Sequence, residues 1–363
     1  MKIFDRYIAR QLLGVTALGV MALSALLLLG NLFKELRPLL VENKAPISIV
    51  LEFIFQVIPF SLMFSIPWGF LTAVLLVYGR LASDNELTSM RMSGMSLWRL
   101  SAPAIAIGIA LSGLCYWINI DIAPRAKQSI SELLIKAASI NPKGLLNEGQ
   151  AITKFDNLEI YIDKRVDDVI HGMHIYQKAD DKSPAVAMHS ERVTMDFSPE
   201  KKTLYLHLIN PLITTQEKDA ISQIVTMDEM PLSINLDKSR SRRIKANRFT
   251  NREIREALNT PGYLDKKQTT EFATELPRRA SFSLACIVFA LIGVPLAINT
   301  RRKDTSTGFA LGILIASLYF VALIFADLSR KSDTMLPYIL LWLPNVITIA
   351  VALYLHNQAR HKG

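Results

Sequence analysis

ASFSLACIVFALIGVPLAINT, residues 280–300, is the stretch that decides the fold, because it runs its whole length without Asp, Glu, Lys or Arg. A bilayer core needs about 20 apolar residues as helix, and in lipid a helix satisfies its own backbone. Five more stretches qualify, at roughly 11–33, 53–79, 100–120, 305–326 and 334–355. Pro59 and Pro67 sit inside the second run. Each removes a backbone donor, so a broken or re-entrant entry is expected before a regular helix from about 68 to 80. Pro337 and Pro344 invite a similar kink in the sixth run. Gly108, Ser112 and Gly113 suit close helix packing in the third.

Composition agrees with six spans. Of 363 residues, 50% are apolar, and the mean hydropathy is +0.26, too apolar for an ordinary soluble chain. The apolar blocks lie at the two ends and a polar segment separates them. The net charge of +9 fits anionic lipid, and no nucleic-acid motif is present. Cys115 and Cys286 both fall in apolar runs and read as small buried residues, not as a disulfide. The N-terminal apolar run is longer than the core of a cleavable signal.

Direction follows the Lys/Arg bias of short loops. With the N-terminus inside, the inner segments hold Lys2, Arg6, Arg10, Arg80, Arg91, Arg99, Arg301, Arg302, Lys303, Arg360 and Lys362. The short outer loops hold Lys34, Arg37, Lys44, Arg330 and Lys331. Eleven against five places both termini in the cytoplasm and the polar middle outside.

That middle switches to period two between about 148 and 236. Leu158, Ile160 and Ile162 alternate with Glu159, Tyr161 and Asp163, and Leu204, Leu206 and Leu208 with Tyr205 and His207. Short strands with regular turns argue an all-β sandwich, jelly roll or open barrel. His171 and His174, three apart in a strand, are expected on opposite faces, and no metal site is expected there. A basic stretch follows, from Lys238 through Arg240, Arg242, Arg243, Lys245, Arg248 and Arg252 to Arg255. Thr250 and Glu253 form a capping box, so a short helix is expected from Asn251. The stretch reads either as a linker facing lipid headgroups or as a direct contact for lipid phosphates.

No G-x-x-x-x-G-K-[ST] loop, H-E-x-x-H or G-x-S-x-G occurs, and none of the six apolar runs holds a carboxylate. Uphill transport would then take its energy from a partner, and the missing carboxylates weigh against an ion-coupled carrier. The loop between spans two and three offers a contact. Ser83 can cap a short helix with Glu86 as its capping-box acid; Leu87, Met90 and Arg91 share a face, and Gly94 ends it. Such a helix either docks on an ATPase or rests on the bilayer.

Three spans, a β-domain and three more spans resemble the LptF/LptG family of lipopolysaccharide-export permeases. The specific pieces are Phe4-Asp5-Arg6-Tyr7-Ile8, the loop Gly79–Ser96, and the sequence Glu275-Leu276-Pro277-Arg278-Arg279 leading to Leu284-Ala285-Cys286 and Gly293-Val294-Pro295-Leu296. The resemblance implies a membrane α-helical fold of six transmembrane helices, 3+3, with an inserted all-β periplasmic jellyroll-like domain. It divides the chain into 1–120, with spans one to three; 121–279, the periplasmic domain with its basic linker and short helix at 238–259; and 280–363, with spans four to six.

The implied function is that of a non-catalytic permease subunit in an ATP-driven lipopolysaccharide exporter of the inner membrane, without cofactor or metal. The implied partners are a related permease subunit, a cytoplasmic ATPase dimer and a periplasmic jellyroll bridge protein. The family's coupling helix maps onto about Ser83–Gly94, including Asp84, Glu86, Leu87, Met90 and Arg91. Lys34 and Arg37 map onto basic residues that can meet lipid phosphates; snorkelling to the headgroups is the other reading of the same two residues. A competing class is a mechanotransmission or sensory membrane protein whose outer domain binds a partner; lipid between spans one and five would separate the two.

Overall fold

The computed structural model describes residues 2–37, 46–140, 152–155, 158–166, 169–177, 185–198, 203–217, 220–235, 245–264, 266–299, 305–330 and 336–361. The chain divides into two compact units, one of Met1–Asn31, Ile54–Ser129 and Ala246–Gly363, the other of Leu32–Phe53 and Ile130–Lys245.

Ten α-helices carry the first unit and its extensions, among the described residues. They are α1 (Lys2–Arg37), α2 (Ile47–Ser83), α3 (Glu86–Met92), α4 (Leu97–Trp117), α5 (Ala123–Ile140), α6 (Asn251–Asn259), α7 (Lys266–Ser283), α8 (Ala285–Asn299), α9 (Thr305–Ser329) and α10 (Leu336–His361). Six stretches of these are long and apolar enough to cross a membrane. The run 280–300 proves to be the inner part of a longer rod. Leu284 interrupts α7 and α8, yet its N–H still reaches Ala280 O at 3.2 Å. This rod is the centre of the bundle: 72% of its apolar window is buried, against 11% for α1. An all-round apolar helix belongs at such a centre.

Small residues let α4 approach it. A Cβ on Gly108 would stand 3.0 Å from Cys286 O, and Ser112 Oγ accepts from Ile287 N at 3.2 Å. Gly113 meets nothing within 4 Å. Cys115 and Cys286 are free and buried.

Two expectations fail here. The second span does not break, because α2 is continuous through Pro59 and Pro67. Each proline costs one ladder bond, whereas unwinding a turn in lipid would strand several polar groups. The third span does not stop near 120 either. A π-helical turn, Ile118–Ile122, joins α4 to α5, and Arg125 pairs with Asp121 at 2.7 Å across it.

Among the described residues the second unit holds one antiparallel sheet of eight strands: β1 (Ile152–Phe155), β2 (Leu158–Val166), β3 (Val169–Gln177), β4 (Ala185–Ser198), β5 (Thr203–Ile209), β6 (Leu212–Glu217), β7 (Ala220–Thr226) and β8 (Glu229–Asn235). The main path is β1-β2-β3-β4-β5-β8. The long β4 serves two partners, β6 along Ala185–His189 and β5 along Arg192–Ser198. That shared strand branches the sheet. Ile160, Ile162, Met173, Ile175, Leu204 and Leu206 are among the buried residues of its apolar face.

Along β3 the alternation slips. Ile170, Met173 and Ile175 are all buried, so the inward set changes parity at Gly172, whose φ is 69°. The slip puts His171 and His174 on the same outward side, not on opposite faces. His174 stacks on His189 of β4, with ring centroids 4.3 Å apart.

Candidate functional site

Within the helical unit α1, α2, α7, α9 and α10 line an open-sided cavity of about 450 Å³. Its wall is apolar and aromatic. Leu23, Leu26 and Leu27 come from α1, Phe64 and Trp68 from α2, Phe282 from α7, and Phe320, Leu323 and Ile324 from α9. Trp68 stacks on Phe320 with centroids 5.2 Å apart, and Phe64 meets Phe282 edge-on at 5.2 Å. Rigid rings hold the wall open where flexible side chains would collapse into it. The polar lining residues are Ser65, Arg278 and Asp327.

Ser65 is already used, since its Oγ lies 2.6 Å from Ser24 Oγ of α1. One turn away the same two helices touch through glycine. A Cβ on Gly69 would lie 2.9 Å from Val20 N, so the backbones are in near contact. These two contacts fix α1 on α2 beside the cavity.

Arg278 and Asp327 belong to a buried charge cluster. Glu275 is its sink, with a fully buried side chain. Arg278 binds it bidentately, Nε to Oε2 at 2.9 Å and Nη2 to Oε1 at 2.7 Å. Arg279 Nε donates to Oε1 at 3.1 Å, and Arg330 Nη2 reaches Oε2 at 2.7 Å. Three guanidinium groups on one carboxylate are tolerable in a dry setting only with further acceptors.

Those acceptors exist. Arg279 also donates to Asn251 Oδ1 at 2.8 Å, to Phe249 O at 2.6 Å and to Ala246 O at 3.3 Å. Arg330 donates to Thr274 Oγ1 at 3.0 Å, to Glu271 O at 2.7 Å and to Asp327 Oδ1 at 2.7 Å. Glu275 and Asp327 lie inside candidate membrane helices. The expectation of no carboxylate in a span therefore holds for the six apolar runs and not for the helices. Glu275 is pinned by its partners, which suits a structural anion better than a carrier's proton site.

The capping box is present: Glu253 N donates to Thr250 Oγ1, and Thr250 N to Glu253 Oε2 at 2.7 Å. It starts α6 after a short 3-10 turn, Ala246–Arg248. Ile254 and Ala257 turn inward, while Arg252 and Arg255 are exposed. Arg248 is half-buried, and desolvation lowers its pKa from the ordinary arginine value. Residues 238 to 244 of the basic stretch lie outside the described residues.

The loop between α2 and α4 forms the helix α3. Ser83 does not cap it; it is the last residue of α2, and the cap position is Asn85, in left-handed backbone at φ 58°. Glu86 is thus the first helical residue. Asp84 pairs with Arg80 at 3.6 Å in an exposed position. Leu87 turns inward, 1% exposed, and Met90 packs against the same core. Arg91 is half-buried, and Gly94 closes the loop at φ 90°. The shared face of Leu87, Met90 and Arg91 therefore packs inward at Leu87 and Met90, while Thr88, Ser89 and Met92 face outward. Lys34 and Arg37 lie in the last turns of α1, and their side chains lie outside the described residues.

The chain is 20% identical over 345 residues to an uncharacterized protein, RP871, of Rickettsia prowazekii (strain Madrid E), a match that covers 90% of this chain and 92% of that protein. Residues 6–358 match the family model of the lipopolysaccharide export system permease LptF/LptG, and with nearly its whole length inside that match the chain belongs to this family.

Proposed function

We propose that the chain is the transmembrane subunit of an ATP-driven exporter that lifts lipopolysaccharide out of the inner membrane and hands it to a periplasmic jellyroll bridge. Family membership makes it a multi-pass inner-membrane permease of lipopolysaccharide export, a transport component and not a catalyst. The observation that carries the finer reading is the aromatic-walled cavity between α1 and α9. Extracting a lipid exposes its chains at a cost of about 0.8 kcal/mol per CH₂, and an apolar cavity offsets that cost. Its volume of about 450 Å³ is that of a small-ligand pocket and cannot take a lipid with several chains. In this reading the related permease subunit supplies the other wall.

Both termini are cytoplasmic and the sheet unit is periplasmic in this proposal. A cytoplasmic ATPase dimer docks at Ser83–Gly94, where Glu86, Asp84 and the outward face of α3 meet it. Lys34 and Arg37 meet lipid phosphates where α1 leaves the bilayer. A photoreactive residue at Leu26 or Ile324 is expected to crosslink lipopolysaccharide in cells, as is one at Lys34 or Arg37. No crosslink at the two cavity positions, with signal elsewhere on the chain, would remove the lipid path and favour a sensory or mechanotransmission role.

A further inference from the structure

The three arginines of the buried cluster are not equivalent. Arg279 is saturated by Glu275, Asn251 and two backbone carbonyls, and Arg330 by Thr274, Glu271 O and two carboxylates. Arg278 spends Nε and Nη2 on Glu275, and its Nη1 donates to nothing among the described residues. It is also the arginine that lines the cavity, with a side chain one-fifth exposed.

Beside it on the cavity lining is Asp327, 54% exposed and 3.8 Å from Arg278 Nε, too far for a hydrogen bond. Asp327 is held instead by Arg330, at 2.7 Å. Nearby, Lys127 lies over the Phe60 ring at 4.9 Å and within electrostatic reach of Glu275, Arg278 and Asp327. Counting Glu271, whose charge also reaches Arg278, four cations stand against three carboxylates. The polar edge of an otherwise apolar cavity thus has spare donors, surplus positive charge and one loosely associated carboxylate.

We propose that Arg278 binds a phosphate group of the lipid whose chains lie against the cavity wall in the chamber completed by the second permease, and that Asp327 is the resident counter-ion this phosphate displaces from beside it. The inference rests on the lipid-extraction reading above and adds the residue that would recognise the headgroup's charge. A guanidinium with a free edge matches the oxygens of a phosphate, and such charge-assisted bonds are the strong ones. The apolar wall below admits chains and not a free ion. The ligand is therefore an amphiphile with its anion at the rim.

The test uses the full-length chain purified together with the related permease subunit that supplies the other wall, in neutral-lipid nanodiscs, and three probes: bis-phosphorylated lipid A, the same lipid with both phosphates removed, and inorganic phosphate. Wild type is expected to bind the phosphorylated lipid roughly tenfold or more tightly than the dephosphorylated one, the worth of a charged hydrogen bond. R278Q is expected to erase that ratio, R278K to retain part of it, and D327N to raise it by removing the competing carboxylate. A ratio unchanged in R278Q overturns the proposal. Should R278Q not fold, D327N decides, since an unchanged or smaller ratio there overturns it equally. Binding of inorganic phosphate as tight as that of the lipid overturns the headgroup assignment in favour of a free-ion site. Failure of wild type to bind either lipid would instead count against the lipid-extraction reading itself.

Discussion

At the scale of the residue, Glu275 is the position on which most else depends. Its fully buried carboxylate neutralises parts of three arginines, two on α7 and one just past the end of α9. Removing one partner of a buried charge network costs about 3–5 kcal/mol, because the others are left uncompensated. Glu275→Gln is therefore expected to lower the thermal unfolding midpoint of the purified chain markedly. Asn251→Ala, which deprives Arg279 of one acceptor, should cost about 1–3 kcal/mol. Equal midpoints for Glu275→Gln and wild type would show that the cluster does not hold the bundle together. Glu275 and both adjacent arginines were visible in the sequence as part of a motif. Their job was not, because Arg330 is 55 positions away and the uncharged run begins only after both arginines. Loop residues show the same limit. Glu86 and Leu87 were both legible as members of a short helix, but helical spacing alone does not say which side meets the protein's own core. With Leu87 inside, Leu87→Ala is a cavity mutation expected to cost about 2–5 kcal/mol of stability. Glu86→Lys should leave the unfolding midpoint in place and reduce the amount of ATPase that co-purifies. An unchanged ATPase yield with Glu86→Lys would remove α3 from the docking surface.

At the scale of the element, periodicity and uncharged length located the helices, and tertiary context set their ends. The fourth span was recognisable from its apolar core, yet α7 begins at Lys266, because buried ion pairs let charged residues enter the bundle. Prolines in α2 looked like breaks and are not, since lipid penalises an open turn more than one lost bond. Strand alternation was readable on both sides of Gly172 but not the slip at it, which needs a positive φ that glycine supplies without strain. The α1–α2 crossing depends on glycine more directly. A Cβ on Gly69 would lie 2.9 Å from a backbone nitrogen of α1, and that atom cannot move without the helix. Gly69→Ala is expected to push α1 off α2, cost about 1–3 kcal/mol as overpacking, and raise the labelling rate of a cysteine placed at Leu23. Labelling and stability both equal to wild type would show that α1 is held elsewhere.

At the scale of the whole molecule, the distribution of exposed apolar surface makes the last prediction. The central α7–α8 rod is mostly enclosed, but α1 and α9 are not. Leu18, Met21 and Leu26 on α1 and Leu318, Ile324 and Phe325 on α9 are each more than half exposed. Lipid tails can cover such side chains as well as another protein can, so exposure by itself is neutral in a membrane. The cavity is not neutral. Its wall is built partly from these same two helices, and its volume is too small for the proposed cargo. A second permease packed along α1 and α9 would enlarge the chamber and restrict α1, which beside the cavity meets α2 through one glycine crossing and one serine pair. A partner that binds the folded state raises its apparent stability by mass action. Co-expression with the related permease is therefore expected to raise the unfolding midpoint by several degrees, with α1 gaining more hydrogen-exchange protection than α8. If the midpoint stays where it is for the chain alone, or if protection grows on α8 and not on α1, the partner does not complete this cavity, and the cavity is not part of the lipid's path.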